Sequence, residues 1–319
     1  MISLILLLLI GLALVVLGAD WLVDGASAVA RRTGISEFVI GLTIVSIGTS
    51  APELVVSVVG ALGGNPTIAL GNVIGSNIMN VLLILGVTAV IMPINFTKSN
   101  KNNCVINIVV SALVLCMGLS HKLLRLGHDR LSPLGGLFLI LLFALYMFNC
   151  FRTETNTIKD HEGKSISILK AVLLIVGGLA ALVVGGRMLV HSAVDLAHRL
   201  GISEKFVAIT IIAGGTSLPE LVTCVVAALK RKGQMALGNI LGSNIFNILL
   251  ILGCASSISV QGISFIDLDL VDAGVFFLSS VLLLLTIYTG HDNKISRSDG
   301  ALLLLVPWLV YMVWLFIKL

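Results

Sequence analysis

Two polar blocks of this sequence occur twice, at a constant separation of 167 residues. Residues 41–62 match the segment 167 positions later at 13 of 22 positions, and residues 70–86 do so at 13 of 17. Identity this dense at one offset indicates an internal duplication. Each copy places a glutamate, Glu53 or Glu220, directly after a proline in a stretch apolar enough to lie in lipid. The chain must therefore fold into two equivalent halves that each hold a carboxylate at membrane depth.

Most of the chain is apolar, with 57% hydrophobic residues, 11% charged residues and a mean hydropathy of +1.10. So few charges cannot cover a water-facing surface, which excludes a soluble globular protein. The apolar runs are continuous instead of alternating, which favours helices over barrel strands. With about 20 residues per span, we predict an all-α polytopic membrane protein whose ten transmembrane helices cover residues 2–18, 38–62, 67–91, 104–119, 131–151, 168–186, 206–229, 235–256, 271–289 and 300–317.

The offset between the copies predicts that the two halves have opposite orientations. Five predicted spans separate equivalent segments, and because five is odd, the second copy enters the membrane from the other side. We therefore expect two inverted five-helix repeats: a first membrane repeat at 1–150, a cytoplasmic linker at 151–167 and a second membrane repeat at 168–319. This inversion would bring Glu53 and Glu220 together near the bilayer midplane.

Charged residues indicate the orientation of the chain. The loops on the linker side hold thirteen Lys and Arg residues and those on the other side hold seven, so both termini are expected outside. The net charge of +4 is spread over short loops and indicates neither nucleic-acid binding nor an obligate protein partner. The five cysteines show no C-x-x-C spacing and are interpreted as small buried hydrophobic residues.

Pro52 and Pro219 lie inside apolar spans. A proline has no N–H to donate and clashes with the carbonyl four residues back, so the carbonyls of Gly48 and Gly215 are released. Lipid tolerates such an opening only where the freed groups face a cavity or an ion. The two prolines therefore predict paired helix breaks beside the two glutamates.

Two facing carboxylates in a membrane cannot stay ionised and unpaired, since each costs on the order of 3 kcal/mol at mid-membrane. No Lys or Arg lies near them within the repeated spans. Their partner is therefore either a bound metal ion or protons that the two acids share. The oxygen-only surroundings suit calcium first. They lack His and Cys, the usual zinc ligands, which argues against zinc.

Hydroxyl and amide groups surround each glutamate at helical spacing. In each copy the glutamate follows a threonine by four residues and a serine by three, which places all three on one helical face. The next span adds a serine and an asparagine four residues apart, and such neutral oxygens match what sodium needs. For Ser76 and Ser243, close helix packing explains the residue type equally well. The further asparagines are expected to cap or bridge helices, and the glycines to permit close packing, at Asn72, Asn77, Asn239, Asn244, Gly71, Gly75, Gly238 and Gly242.

The segments GTSAPE (48–53) and GNVIGSN (71–77), with their partners GTSLPE (215–220) and GNILGSN (238–244), resemble the two alpha repeats of the calcium:cation antiporter superfamily. They are most similar to those of its prokaryotic sodium/calcium exchangers. The resemblance covers essentially the whole chain. It implies a secondary active transporter of the plasma (inner) membrane that exchanges calcium for sodium by alternating access, with the first and sixth spans moving across a fixed core.

The resemblance also implies the ligands, while no cofactor is expected. Calcium would be held by Glu53, Glu220, Thr49 and Thr216. Sodium would use Ser46, Ser50, Glu53, Ser76, Ala213, Ser217, Glu220 and Ser243, with Ser46 and Ala213 contributing main-chain oxygens. Asn80 and Asn247 would line the centre.

One departure keeps an alternative open. Some relatives carry aspartate where this chain has Asn247, so the site holds two formal negative charges instead of three. A proton-coupled antiporter of calcium or another divalent cation is the alternative for this reason. A cation channel fits less well, because conduction favours several sites in file. An enzyme is not expected, because the H-E-x-x-H and G-x-S-x-G motifs do not occur.

Overall fold

The computed structural model describes residues 2–125, 128–153, 166–200, 213–289 and 293–318. Within these ranges the protein consists of helices and four two-residue strands. The helices in chain order are α1 (Ile2–Thr33), α2 (Glu37–Thr49), α3 (Ala51–Leu62), α4 (Thr67–Ile91), α5 (Lys98–Gly118), α6 (Ser120–Leu124), α7 (Pro133–Thr153), α8 (Ile168–Arg199), α9 (Ala213–Gly215), α10 (Leu218–Leu229), α11 (Gly233–Ile258), α12 (Leu270–Thr289) and α13 (Arg297–Lys318).

The helix lengths agree with a membrane protein. Eight continuous helices among the described residues, α1, α4, α5, α7, α8, α11, α12 and α13, are long and apolar enough to cross a bilayer. The bent pair α2 and α3 supplies a ninth candidate. Helix α10 is apolar but has only 12 residues, and the predicted span 206–229 that contains it starts outside the described residues. The tenth span, and with it the linker structure, stays a prediction.

Helices α1 and α8 are longer than the sequence pattern suggested. The predicted spans end at Gly18 and Gly186, whereas both helices have 32 residues and continue through Asp20, Asp24 and, in α8, His191. The predicted ends of these two helices, at Gly18 and Gly186, are therefore wrong. One face of α1 stays apolar and fully buried past Gly18, at Ala19, Leu22, Val23 and Ala26, and this helical periodicity carries the helix onward.

Glycines join α1 to α8. A Cβ atom on Gly18 would lie 2.7 Å from the carbonyl oxygen of Gly178, and one on Gly11 would lie 3.0 Å from that of Gly185. The two backbones therefore touch, as small residues permit in membrane helices. Because position 11 faces 185 and position 18 faces 178, the two equivalent helices run antiparallel.

Helix α11 is the buried centre of the bundle. A Cβ atom on Gly238 would lie 2.1 Å from the Phe38 carbonyl oxygen, and one on Gly242 would lie 2.3 Å from that of Leu42, so α11 packs directly on α2 as the small-residue spacing predicts. Close packing at the equivalent α4 glycines, Gly71 and Gly75, stays a prediction. Both α4 and α11 contain a π-helical stretch, at Met79–Leu85 and Asn247–Ile251, a feature often found at functional sites.

Two short antiparallel strand pairs connect the halves. Strand β1 (Ile94–Asn95) pairs with β4 (Lys294–Ile295), and β2 (Arg130–Leu131) pairs with β3 (Ile263–Ser264). Each pair combines one strand from each half, so the loops fasten the halves together outside the helical core.

Candidate ion-binding site

Both repeat helices break at the same place. Ser50 has φ −84° and ψ 8°, and Ser217 has φ −87° and ψ 7°, so each leaves the helical conformation two residues before a proline. Helices α2 and α3 meet there at an angle of 46°. Each proline falls in the first turn of the new helix, where its missing N–H costs no hydrogen bond. Glu53 and Glu220 then occupy the first turn, where the helix dipole favours negative charge.

The two glutamates are buried and bound by the opposite half of the chain. Each side chain belongs to a residue only 1% exposed. The hydroxyl of Ser50 donates to Oε1 of Glu220 at 2.8 Å, and the hydroxyl of Ser217 donates to Oε1 of Glu53 at 3.2 Å. The breaks thus lie against each other, and each half supplies the donor for the carboxylate of the other.

Serine hydroxyls of α4 and α11 continue these contacts between the two halves. Ser50 Oγ lies 3.0 Å from Ser243 Oγ, and Ser217 Oγ lies 3.3 Å from Ser76 Oγ. Both contacts again cross between the halves. Four serines and two carboxylates therefore form two equivalent chains of oxygens, and each chain crosses between the halves.

The threonines contact asparagines of the other half. The Thr49 hydroxyl donates to Asn239 Oδ1 at 3.2 Å, and the Thr216 hydroxyl donates to Asn72 Oδ1 at 3.5 Å. Asn72 also donates to the Glu53 carbonyl oxygen at 3.1 Å. These asparagines bridge helices as the sequence pattern predicts, and they orient the threonine side chains.

Sequence reasoning missed the outer partners of these asparagines. Asn72 Nδ2 donates to Ser57 Oγ at 3.0 Å, and Asn239 Nδ2 lies 3.3 Å from Cys224 Sγ. Residues 57 and 224 are equivalent at the 167-residue offset. That equivalence could have revealed these contacts from the sequence, because the cysteine sulfur can accept a hydrogen bond in place of the buried serine hydroxyl.

Among the described residues, several buried carboxylate and amide oxygens of α3, α4, α10 and α11 have no hydrogen-bond partner. They are Oε2 of Glu53, Oε2 of Glu220, and the Oδ1 atoms of Asn77, Asn80 and Asn247. Buried polar atoms are normally paired, and these are all acceptors. No Lys or Arg of the described residues forms an ion pair with either glutamate. The donor set therefore fits a cation.

The remaining predicted ligands lie on the same helices. Ser46 is fully buried, its hydroxyl donates to the Leu42 carbonyl at 2.6 Å, and its own carbonyl accepts the Ser50 N–H at 3.0 Å. Ala213 begins α9, the helical turn before the second break. Asn80 donates to Asn244 Oδ1 at 3.0 Å, and Asn247 begins the π-helical stretch of α11.

A cavity reaches the site from one side. It has a volume of about 180 Å³ and extends from Thr216 and Pro219 along α8 to Arg187 and His191. Thr216 is partly exposed, whereas its equivalent Thr49 is only 1% exposed. The two halves therefore differ in accessibility at the site: Thr216 is partly accessible, whereas Thr49 is covered.

Comparisons with known proteins agree along the whole chain. Residues 3–152 and 170–317 match the family described as sodium/calcium exchanger protein. The chain is 33% identical over 351 residues to the sodium/calcium exchanger MaX1 of Methanosarcina acetivorans, covering 98% of each chain. It is 34% identical over 322 residues to the inner membrane protein YrbG of Escherichia coli, covering 97% of this chain and 96% of that one. A solved structure of the sodium-calcium exchanger NCX_Mj superimposes with a TM-score of 0.84 at 32% identity, covering 99% of this chain and 100% of that one.

Proposed function

The chain belongs to the sodium/calcium exchanger family, within the prokaryotic calcium:cation antiporters, and on that premise we propose that it exchanges calcium for sodium as a secondary active transporter. The family is one of transporters, and its members named here are membrane proteins. Calcium and sodium are the cargo of the proposed reaction. The transport would occur by alternating access at a site that both halves form near the midplane.

One observation carries this proposal: two buried carboxylates each keep one oxygen without a partner, beside unpartnered amide oxygens. A divalent cation neutralises both carboxylates and satisfies these acceptors. We assign calcium to Glu53 and Glu220 with the backbone oxygens of Thr49 and Thr216. Sodium would share the carboxylates and use the oxygens of Ser46, Ser50, Ser76, Ala213, Ser217 and Ser243, with Asn80 and Asn247 lining the centre.

Exchange follows from competition for these oxygens. In the structure the hydroxyls of Ser50 and Ser217 are already within hydrogen-bond distance of the carboxylates, so a sodium ion that binds a hydroxyl oxygen also lies beside a glutamate. Calcium and sodium would then exclude each other, and the site would carry one or the other in turn.

The proposed architecture is ten helices in two inverted five-helix repeats, 1–150 and 168–319, joined by a cytoplasmic linker, with both termini outside. It is supported by the antiparallel contact of the equivalent helices α1 and α8. Since their backbones touch, we expect these helices to move as one unit across the core during alternating access.

Calcium uptake into sodium-loaded proteoliposomes tests the proposal. An outward sodium gradient should drive uptake, and Glu53→Gln or Glu220→Gln should abolish it because each removes a carboxylate from the site. Glu37→Gln is the matched control, since Glu37 pairs with Lys232 outside the site and its loss should leave uptake intact. Uptake that survives both glutamine substitutions would refute the site.

A proton-coupled antiporter is the second candidate. The presence of Asn247 leaves only two formal charges in the centre, which two protons could neutralise as well as one calcium ion. Replacing sodium by an impermeant organic cation while imposing a pH gradient separates the two candidates. Calcium uptake that follows the pH gradient without sodium would favour the proton-coupled reading.

A further inference from the structure

Helices α1 and α8 carry different polar residues at equivalent positions. Asp20 and Asp24 of α1 correspond, at the 167-residue offset, to Arg187 and His191 of α8. The same offset relates Gly11 to Gly178 and Gly18 to Gly185, which fixes the alignment of the two helices. The duplication therefore kept the positions, but the second half has a cationic arginine where the first half has Asp20.

These residues lie on opposite sides of the site. Because Gly18 faces Gly178 and Gly11 faces Gly185, α1 and α8 cross symmetrically near residues 14 and 181. Asp20 and Arg187 each lie between five and six residues beyond that level in opposite directions, or about 8 Å from it at 1.5 Å per residue. We call these two places the Asp20 mouth and the Arg187 mouth.

The two mouths are in different states. At the Arg187 mouth the cavity leads from Arg187 to Thr216. At the Asp20 mouth, Lys230 forms ion pairs of 2.7 Å with both aspartates, and Val23, the equivalent of the cavity-lining Val190, is fully buried. One mouth is open and carries a cationic group, while the other is closed and carries two carboxylates.

Resting on the proposed exchange function, we propose that Arg187 makes cation capture unequal on the two sides of the membrane. A guanidinium is charged at all physiological pH values. No carboxylate of the described residues forms an ion pair with Arg187. Arg187 is exposed and lines the cavity at its outer end, and a charge at the entrance of a partly apolar cleft changes the local ion concentration more than the same charge on an open surface. Cations therefore meet repulsion at the Arg187 mouth and a weaker attraction at the Asp20 mouth, where Lys230 offsets one of the two carboxylate charges.

Sided uptake measurements test the transport consequence. In vesicles of known orientation, Arg187→Gln should lower the calcium concentration for half-maximal uptake by about threefold to tenfold at the Arg187 mouth, the order of magnitude expected when one charge near a divalent cation is removed in a medium of intermediate dielectric. The value at the Asp20 mouth should not change. The effect should shrink as an impermeant salt raises the ionic strength. Arg199→Gln, at the exposed end of α8, is the matched control and should change neither side.

A labelling measurement tests the charge without depending on transport. In a variant lacking the five native cysteines, Val190→Cys should react faster with a sulfonate-bearing thiol reagent than with its trimethylammonium analogue. Arg187→Gln should reduce that ratio about threefold to tenfold. An unchanged ratio overturns the inference even if exchange is normal. An equal shift of calcium affinity on both sides also overturns it, whereas a normal labelling shift without any calcium exchange would refute only the proposed function.

Discussion

Replacing Lys230 by methionine should loosen the closed Asp20 mouth. The ammonium group lies 2.7 Å from carboxylate oxygens of both Asp20 and Asp24, and it donates to the Asp20 carbonyl at 3.2 Å. It therefore ties α1 to the end of α10, where the proposed movement must separate them. Methionine keeps the length of the side chain and removes its charge.

The stabilisation from these ion pairs can be estimated from the exposure of the three charged side chains. The side chain of Lys230 is 28% exposed, and those of Asp20 and Asp24 are 45% and 56% exposed. Exposed ion pairs contribute about 0.2–1 kcal/mol each, so solvent screening limits the two together to about 0.5–1 kcal/mol. At room temperature this corresponds to a roughly twofold to fivefold higher population of the opened mouth.

Cysteine accessibility measures that population. Val23→Cys reports on the closed mouth, because Val23 is fully buried in the structure. Val190→Cys is the matched reporter in the open cavity. With a neutral, membrane-impermeant thiol reagent and no native cysteines, Lys230→Met should speed labelling of the first reporter about twofold to fivefold and should not speed labelling of the second.

Lys230→Arg is the control, since it keeps the positive charge and should label as the parent does. If Lys230→Met leaves the labelling of Val23→Cys unchanged, the ion pairs do not hold this mouth closed. If both reporters label faster, the substitution has loosened the whole bundle. That result would also refute the claim that the ion pairs hold this mouth closed.

Two further substitutions probe the site and its packing. Ser217→Ala removes the donor 3.2 Å from Glu53, and because hydrogen bonds to charged groups contribute about 1.5–3 kcal/mol, calcium affinity should fall at least tenfold by calorimetric titration. Ser279→Ala, which removes a buried hydroxyl bonded within α12, should leave that affinity unchanged, and equal losses would contradict the assignment. Gly238→Ala places a methyl group 2.1 Å from a backbone oxygen, so about 1–3 kcal/mol of overpacking should lower the unfolding temperature in detergent. Gly274→Ala, with open space among the described residues, should not lower it, and a stable Gly238 variant would show that α2 and α11 can separate.

Much of the fold was predictable because lipid imposes simple rules. Continuous apolar runs identified most spans, and the paired prolines indicated where both repeat helices would break. The ends of α1 and α8 were not predictable in the same way, because Asp20 and His191 resemble loop residues when hydropathy is averaged over a window. Their helices continue because only one face of each needs to be apolar.

The sequence indicated which polar side chains would lie together, but not how they would pair. The duplication indicated that Glu53 and Glu220 belong together. It did not indicate that Ser217 would bind Glu53 while Ser50 binds Glu220, since a hydroxyl can equally bond to its own helix. That choice depends on how closely the two breaks approach, which only the packed structure shows.

The crossed serine bonds also affect how the chain is made. Ser217 lies 164 residues after Glu53, and at about 5–20 residues per second of ribosomal synthesis the glutamate is made roughly 8–33 seconds before its donor. Until the donor is made, the nascent first half must keep Glu53 hydrated or carry it as the neutral acid. The newly inserted protein therefore completes the hydrogen bonds of both carboxylates only when the second helix break has been made.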